Sequence, residues 1–164
     1  MKDSLTSIIL SGNNIVELPN VGYTMAQLKH LVTIDLDNNK IHTIGKKSLP
    51  QSLQSLNLAN NLLETFPFEL ISNLHHLESL NLKGNLIQRI PHITFKHHKS
   101  LEKLEMGDNG LEAWYSNMFN ETLAVRHLSL ELNYLRVIPA YAFRGMNVVK
   151  LVLSYNRIEM IDDN

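Results

Sequence analysis

Seven asparagines, Asn13, Asn39, Asn61, Asn85, Asn109, Asn133 and Asn156, divide the chain at intervals of 26, 22, 24, 24, 24 and 23 residues. The same apolar pattern returns around each of them. In the stretch LESLNLKGNLIQRIP, residues 77–91, Leu77, Leu80, Leu82, Ile87 and Ile90 are separated by steps of 3, 2, 5 and 3. A helix repeats its apolar face every three or four residues and a half-buried strand every two, so neither period carries the run. Leu80, Asn81 and Leu82 alternate as a short strand does, and the remainder must turn the chain back. Such a unit cannot bury its own apolar side and needs copies of itself on both flanks.

The copies open at Leu5, Leu31, Leu53, Leu77, Leu101, Val125 and Val148. With the opening residue as slot 1, slots 1, 4, 6, 11 and 14 are apolar in all seven copies and slot 9 is always Asn. The chain holds 18 Asn in 164 residues, so chance would produce this column with a probability on the order of 10⁻⁷, and the repeat is real. Slot 14 reads Leu18, Ile44, Phe66, Ile90, Trp114, Ile138 and Ile161, followed by Pro at Pro19, Pro67, Pro91 and Pro139. Seven parallel strands about 4.8 Å apart span roughly 29 Å of sheet. After each strand the chain bends inward and leaves backbone N–H and C=O groups without sheet partners. An Asn side chain, both donor and acceptor, has the length to take them. The seven Asn are therefore expected to stack as a buried ladder.

The pattern L-x-x-L-x-L-x-x-N-x-L-x-x-L-P-x-x-x-F resembles the leucine-rich repeat over essentially the whole chain, and within that family the 24-residue animal type. Slot 19, where that type places Phe, reads Tyr23, Leu49, Ile71, Phe95, Phe119 and Phe143. Repeat 2 lacks the Pro at slot 15, and repeat 5 carries Met106, Trp114 and Tyr115 where the pattern has Leu, Leu and Pro. The resemblance implies an α/β fold: a right-handed solenoid, or horseshoe, with about seven parallel strands on its concave face and irregular or short helical convex limbs. It implies one domain over residues 1–164. Extracellular members of the family cover their ends with Cys-rich caps. This chain has no Cys, opens its first repeat four residues after Met1 and stops at slot 17 of the last, so it is expected to be cut at both ends and to self-associate through uncapped edges.

A formal net charge of −1 sets up no global field for nucleic acid or an anionic membrane, and neither partner is expected. No apolar run approaches the roughly 18 residues of a membrane span, and MKDSLTSIILSG lacks a signal-peptide core. Absence of Cys fits a piece of a larger ectodomain and a reducing compartment alike. One sequon, Asn120-Glu121-Thr122, makes Asn120 a candidate glycosylation site, although a chain this rich in Asn supplies about two by chance.

Function has to come from the exposed concave slots 3, 5, 7, 8 and 10. In the first four repeats slot 3 is small and polar, as at Ser7, Thr33, Ser55 and Ser79. Later repeats put Lys103, His127 and Lys150 there, with Glu105, Asp108 and Glu131 close by and Leu132, Tyr134 and Tyr155 projecting at slots 8 and 10. Aromatic groups among charges of both signs have the composition of protein-binding hot spots, and a bare solvated sheet face is the other reading of the same residues.

Catalytic and metal chemistry are poorly served. His127, Ser129 and Glu131 alternate along one strand, but same-face neighbours there lie about 6.5–7 Å apart, too far for a converging triad. His75, His76, His92, His97 and His98 gather on convex limbs without Cys or carboxylates, so no metal or cofactor is expected and these side chains read as polar loop residues that charge in mild acid. The expected function is non-enzymatic protein–protein recognition, resembling ectodomain repeats of Toll-like, Slit-like or chaoptin-like adhesion and signalling proteins, at the cell surface or secreted. An intracellular, cytoplasmic scaffold of the same repeats that binds a regulatory enzyme or small GTPase stays open beside it.

Overall fold

Apolar residues at slots 4 and 6 point one way and the residues at 3 and 5 the other, which commits each opening segment to a short strand with one buried face. The computed structural model describes residues 4–19, 25–91, 94–95, 97–115, 118–119 and 124–162. In chain order its elements are β1 Ser7–Ile9, β2 Glu17–Leu18, β3 Thr33–Asp35, β4 Thr43–Ile44, β5 Ser55–Asn57, α1 Phe68–Ile71, β6 Ser79–Asn81, β7 Lys103–Glu105, β8 His127–Ser129, β9 Val137–Ile138, β10 Lys150–Val152 and β11 Met160–Ile161.

Seven of these strands form one sheet in the order β1-β3-β5-β6-β7-β8-β10. Every pairing is parallel and keeps the slots aligned: Ile8 faces Ile34, Leu56 faces Leu80, and Leu128 faces Leu151. The buried side is a column of aliphatic groups, with Ile34, Leu80, Leu104 and Leu128 fully inaccessible. Slot 19 and its neighbours extend this core under the returning limbs. Phe66 meets Phe95 edge-on at 5.8 Å, Phe95 stacks on Phe119 at 6.1 Å, and Trp114 bridges Phe119 and Phe143. Replacing a group such as Leu80 by Ala should cost about 2–5 kcal/mol, because neighbouring repeats cannot close the cavity.

The limbs agree with the short helical expectation at α1, a single turn among the described residues. They also carry two small parallel ladders, β2 with β4 and β9 with β11, at slots 13 and 14. Neighbouring limbs of similar shape stack in register there and share backbone hydrogen bonds.

The Asn column links each repeat to the one before it. From Asn39 onward, Nδ2 donates to the slot 6 carbonyl of its own repeat and to that of the preceding repeat: Leu82 and Leu58 for Asn85, Leu130 and Met106 for Asn133. Oδ1 accepts the slot 11 N–H of the preceding repeat, as Leu63 N–H to Asn85 at 3.1 Å and Leu111 N–H to Asn133 at 3.0 Å. Asn39, Asn61, Asn85, Asn109 and Asn133 are buried, whereas Asn156 is half-buried and Asn13 exposed. The ladder is thus buried in its middle only. Asn13 bonds Leu10 and Ser11 of its own repeat, having no earlier repeat to reach among the described residues.

Candidate functional site

Register alone brings Lys103, His127 and Lys150 into one row, since they are successive partners across β7, β8 and β10. Glu105 sits beside that row, its carboxylate paired with Lys103 Nζ at 3.1 Å and lying 3.6 Å from His127 Nε2, an ion pair only when that imidazole is protonated. Glu131 reaches across a whole repeat to Lys83 Nζ at 2.7 Å. That span is open because slot 7 of the intervening repeat is Gly107, where an added Cβ would meet Glu131 Cγ at 2.8 Å. The Glu131 carboxylate holds the Lys83 ammonium above its ordinary pKa, chiefly by direct hydrogen bonding. Of the charges predicted for this face, Lys103 and Glu105 pair with each other, Glu131 is taken by Lys83, and Lys150 and Asp108 stand exposed beside them.

The same geometry separates the groups that alternate on β8. His127 faces Glu105, Glu131 pairs with Lys83, and Ser129 is buried. In the earlier repeats Asp35 and Asp37 are half-buried and accept amide hydrogens from Asn57 and Asn60, at 3.0 and 2.9 Å.

Slot 8 carries a constraint the repeat pattern does not announce. In all seven repeats this residue is left-handed: Gly12, Asn38, Asn60, Gly84, Asp108, Leu132 and Tyr155 have φ of 70°, 55°, 50°, 66°, 52°, 53° and 57°. The conformation aims the slot 8 N–H at the slot 7 carbonyl of the next repeat, as Asp108 to Glu131 at 2.8 Å and Leu132 to Ser154 at 2.9 Å. Gly, Asn and Asp tolerate this region, while other L-residues pay about 1–2 kcal/mol. The signal was present in the five Gly, Asn and Asp residues of that column, and Leu132 and Tyr155 obscured it.

Those two residues are also exposed, Leu132 by 45% and Tyr155 by 80%. Next to them Tyr134 is 44% exposed, with the Arg157 guanidinium 4.4 Å over its ring. Sequence reasoning passed over Arg157, although it occupies slot 10 of repeat 7 directly after Tyr134 at slot 10 of repeat 6. The slot 10 row continues as exposed Leu86 and Leu62.

His98 departs from the expectation of polar loop residues, whereas His75, His76 and His97 are exposed. His75 lies 6.1 Å from His97 and 6.2 Å from His98, ring centre to ring centre. His98 is 1% exposed, with Nε2 2.8 Å from the Ile71 carbonyl and Nδ1 without a hydrogen-bond partner. Burial lowers its pKa, and the nearby His75 and His97 act in the same direction. Among the described residues no group of three or more His, Cys, Asp or Glu is arranged to hold a metal ion, and no helix is long and apolar enough to cross a membrane. His92 and Asn120 lie outside the described residues.

Comparison with known families matches residues 51–111 to "Leucine rich repeat". Comparison with curated proteins gives no match. Among solved structures the chain is similar to Drosophila Toll, described in its complex with Spatzle, with a TM-score of 0.73 and 25% identity over 92% of this chain and 23% of that one. It is also similar to TLR13, described in a complex with ssRNA, with a TM-score of 0.74 and 24% identity over 94% of this chain and 25% of that one. The chain therefore spans about a quarter of the length of either structure. The TLR13 complex also removes the ground for excluding nucleic acid on net charge, because a solenoid of this shape is seen with RNA. With slot-aligned strands from β1 to β10 and the Asn links between them, the chain has the fold of a leucine-rich repeat solenoid, similar to that of Toll, and its residues 51–111 match the leucine-rich repeat itself.

Proposed function

We propose that the chain is a non-enzymatic recognition module that binds another protein through the sheet face and adjoining turns of its last three repeats. The observation that carries this reading is the placement of Leu132 and Tyr155, large apolar groups that are exposed while held in a left-handed conformation. Asn or Gly would relieve the strain at either position, and Tyr155, 80% exposed, covers little core in return. Strain retained at an exposed apolar position is characteristic of binding sites. Tyr134, Leu132 and Tyr155 supply the anchors, and Asp108 with Lys150 lies at the rim to steer approach. Glu105 and Glu131, with Lys103, Lys83 and His127, form a pre-paired floor that a partner meets without having to neutralise it.

The likeness to Toll, seen in complex with Spatzle, supports a protein partner and a cell-surface or secreted setting. The ssRNA of the TLR13 complex makes RNA the comparison arm. The test screens the chain against secreted proteins and a single-stranded RNA, then repeats each interaction with Leu132→Asn, Tyr134→Ala and Tyr155→Asn combined. A control variant carries Ser55→Ala and Asn57→Ala. Protein partners should lose at least about tenfold in affinity with the first variant and little with the second. Partners indifferent to the first variant, or RNA as the sole ligand, would overturn the reading.

A further inference from the structure

The returning limbs of the first three repeats enclose a cleft of about 450 Å³, built apart from the residues of the recognition face. Its volume lies within the range of roughly 300–1,000 Å³ typical of small-molecule sites. Three lysines line it, Lys29 from repeat 1 and Lys46 and Lys47 from repeat 2, together with Gln51, Ser52 and Asn73, and no Asp or Glu does so among the described residues. Leu49 and Pro50, both buried, form an apolar wall.

This arrangement differs from the lysines of the sheet face. Lys83 and Lys103 each have a carboxylate within 3.1 Å, whereas neither Lys29 nor Lys46 has one among the described residues. An anion entering such a cleft is attracted by every ammonium group at its border. In a chain whose net charge is −1, Lys29 and Lys46 at one cleft place positive charge locally that the overall charge conceals.

We propose that this cleft binds a sulfate or phosphate ester carried on a sugar-sized body. Lys29 and Lys46 supply the counter-charge, the Gln51 carboxamide donates to an ester oxygen, and Leu49 with Pro50 takes the less polar face of the body. The site is independent of the protein-binding patch and can be occupied at the same time.

The whole chain is titrated by calorimetry and NMR with a sulfated disaccharide, its unsulfated counterpart, and inorganic phosphate and sulfate. The sulfated disaccharide should bind saturably, more weakly as salt rises. Lys29→Gln with Lys46→Gln should reduce that affinity by about tenfold or more, while Lys103→Gln leaves it unchanged. Thermal melts check that the exposed substitutions preserve the fold. If inorganic phosphate binds as tightly as the disaccharide and is lost in the same variant, the oxyanion site stands and its occupant is the free ion. Equal binding of the unsulfated sugar, or a double variant that binds like the wild type, overturns the proposal.

Discussion

Lys83 Nζ and Glu131 Oε1 lie 2.7 Å apart although a complete repeat separates their strands. The contact exists only because Gly107 leaves the space between them empty, so the pair depends on a residue that touches neither charge by ion pairing. A double-mutant cycle on Lys83 and Glu131 should return a coupling of about 0.2–1 kcal/mol that shrinks with salt. Gly107→Ala should remove that coupling by displacing the Glu131 side chain. NMR of the Lys83 ε-carbon offers an independent reading, since Glu131→Gln should lower the Lys83 pKa. A coupling that survives Gly107→Ala would show that the carboxylate has another route.

The Asn column should be energetically uneven. Asn85 is buried and serves Leu58, Leu82 and Leu63, so Asn85→Leu strands backbone groups as well as removing bonds. Chemical denaturation should show a loss of about 1–3 kcal/mol or more. Asn13→Leu touches only the exposed first repeat and should change stability by less than about 0.5 kcal/mol. Equal effects at the two positions would contradict the role given to links between repeats.

Stability and recognition should oppose each other at slot 8. Leu132→Asn and Tyr155→Asn each replace a strained left-handed residue with one that tolerates the conformation, and each should raise stability by about 0.5–1 kcal/mol in thermal or urea unfolding. A destabilising effect at both sites would mean that the side chains pack more than their exposure suggests.

Acid should weaken the limb of repeat 4. Burial lowers the His98 pKa below its value in the unfolded chain, so the unfolded state binds more protons as pH falls below about 6.5 and stability declines from there until the folded-state pKa is passed. His75 and His97, the titratable groups facing it, push the His98 pKa in the same direction as burial does. Urea midpoints between pH 7.5 and 5 should fall for the wild type. His98→Leu should be less stable at pH 7.5, having left the Ile71 carbonyl unpaired, yet show a shallower decline. Parallel curves for the two proteins would exclude His98 as the source.

Slots 4 and 6 and the Asn column were legible because the backbone geometry of every repeat imposes them, and a demand repeated seven times survives local variation. Relationships that depend on a single position were not. Nothing in the sequence matches Lys83 with Glu131, because the partner is chosen by the missing side chain at Gly107. His98 reads as one of a run of polar residues, and its burial follows from sitting against Phe95, at 5.9 Å, on the returning limb. The candidate face was half legible: register placed Lys103 beside His127, but the backbone strain beneath Leu132 and Tyr155 and the cation over Tyr134 emerge only in three dimensions.

Because Asn85 and its counterparts reach only one repeat back, the array has a direction when it is loaded mechanically. Force applied to the two termini does not meet one cooperative block. It meets a series of identical clasps, each closed by one carbonyl and one N–H of the neighbour, and the outermost clasp bears the load first. Peeling β10 away opens the Asn156 clasp, freeing the Leu135 N–H and Leu130 carbonyl while the clasps within repeats 1 to 6 stay shut. An extended repeat of 24 residues releases roughly 80 Å of chain, so a pulled molecule should lengthen in steps of that size and act as a ratcheted tether rather than a rigid strut.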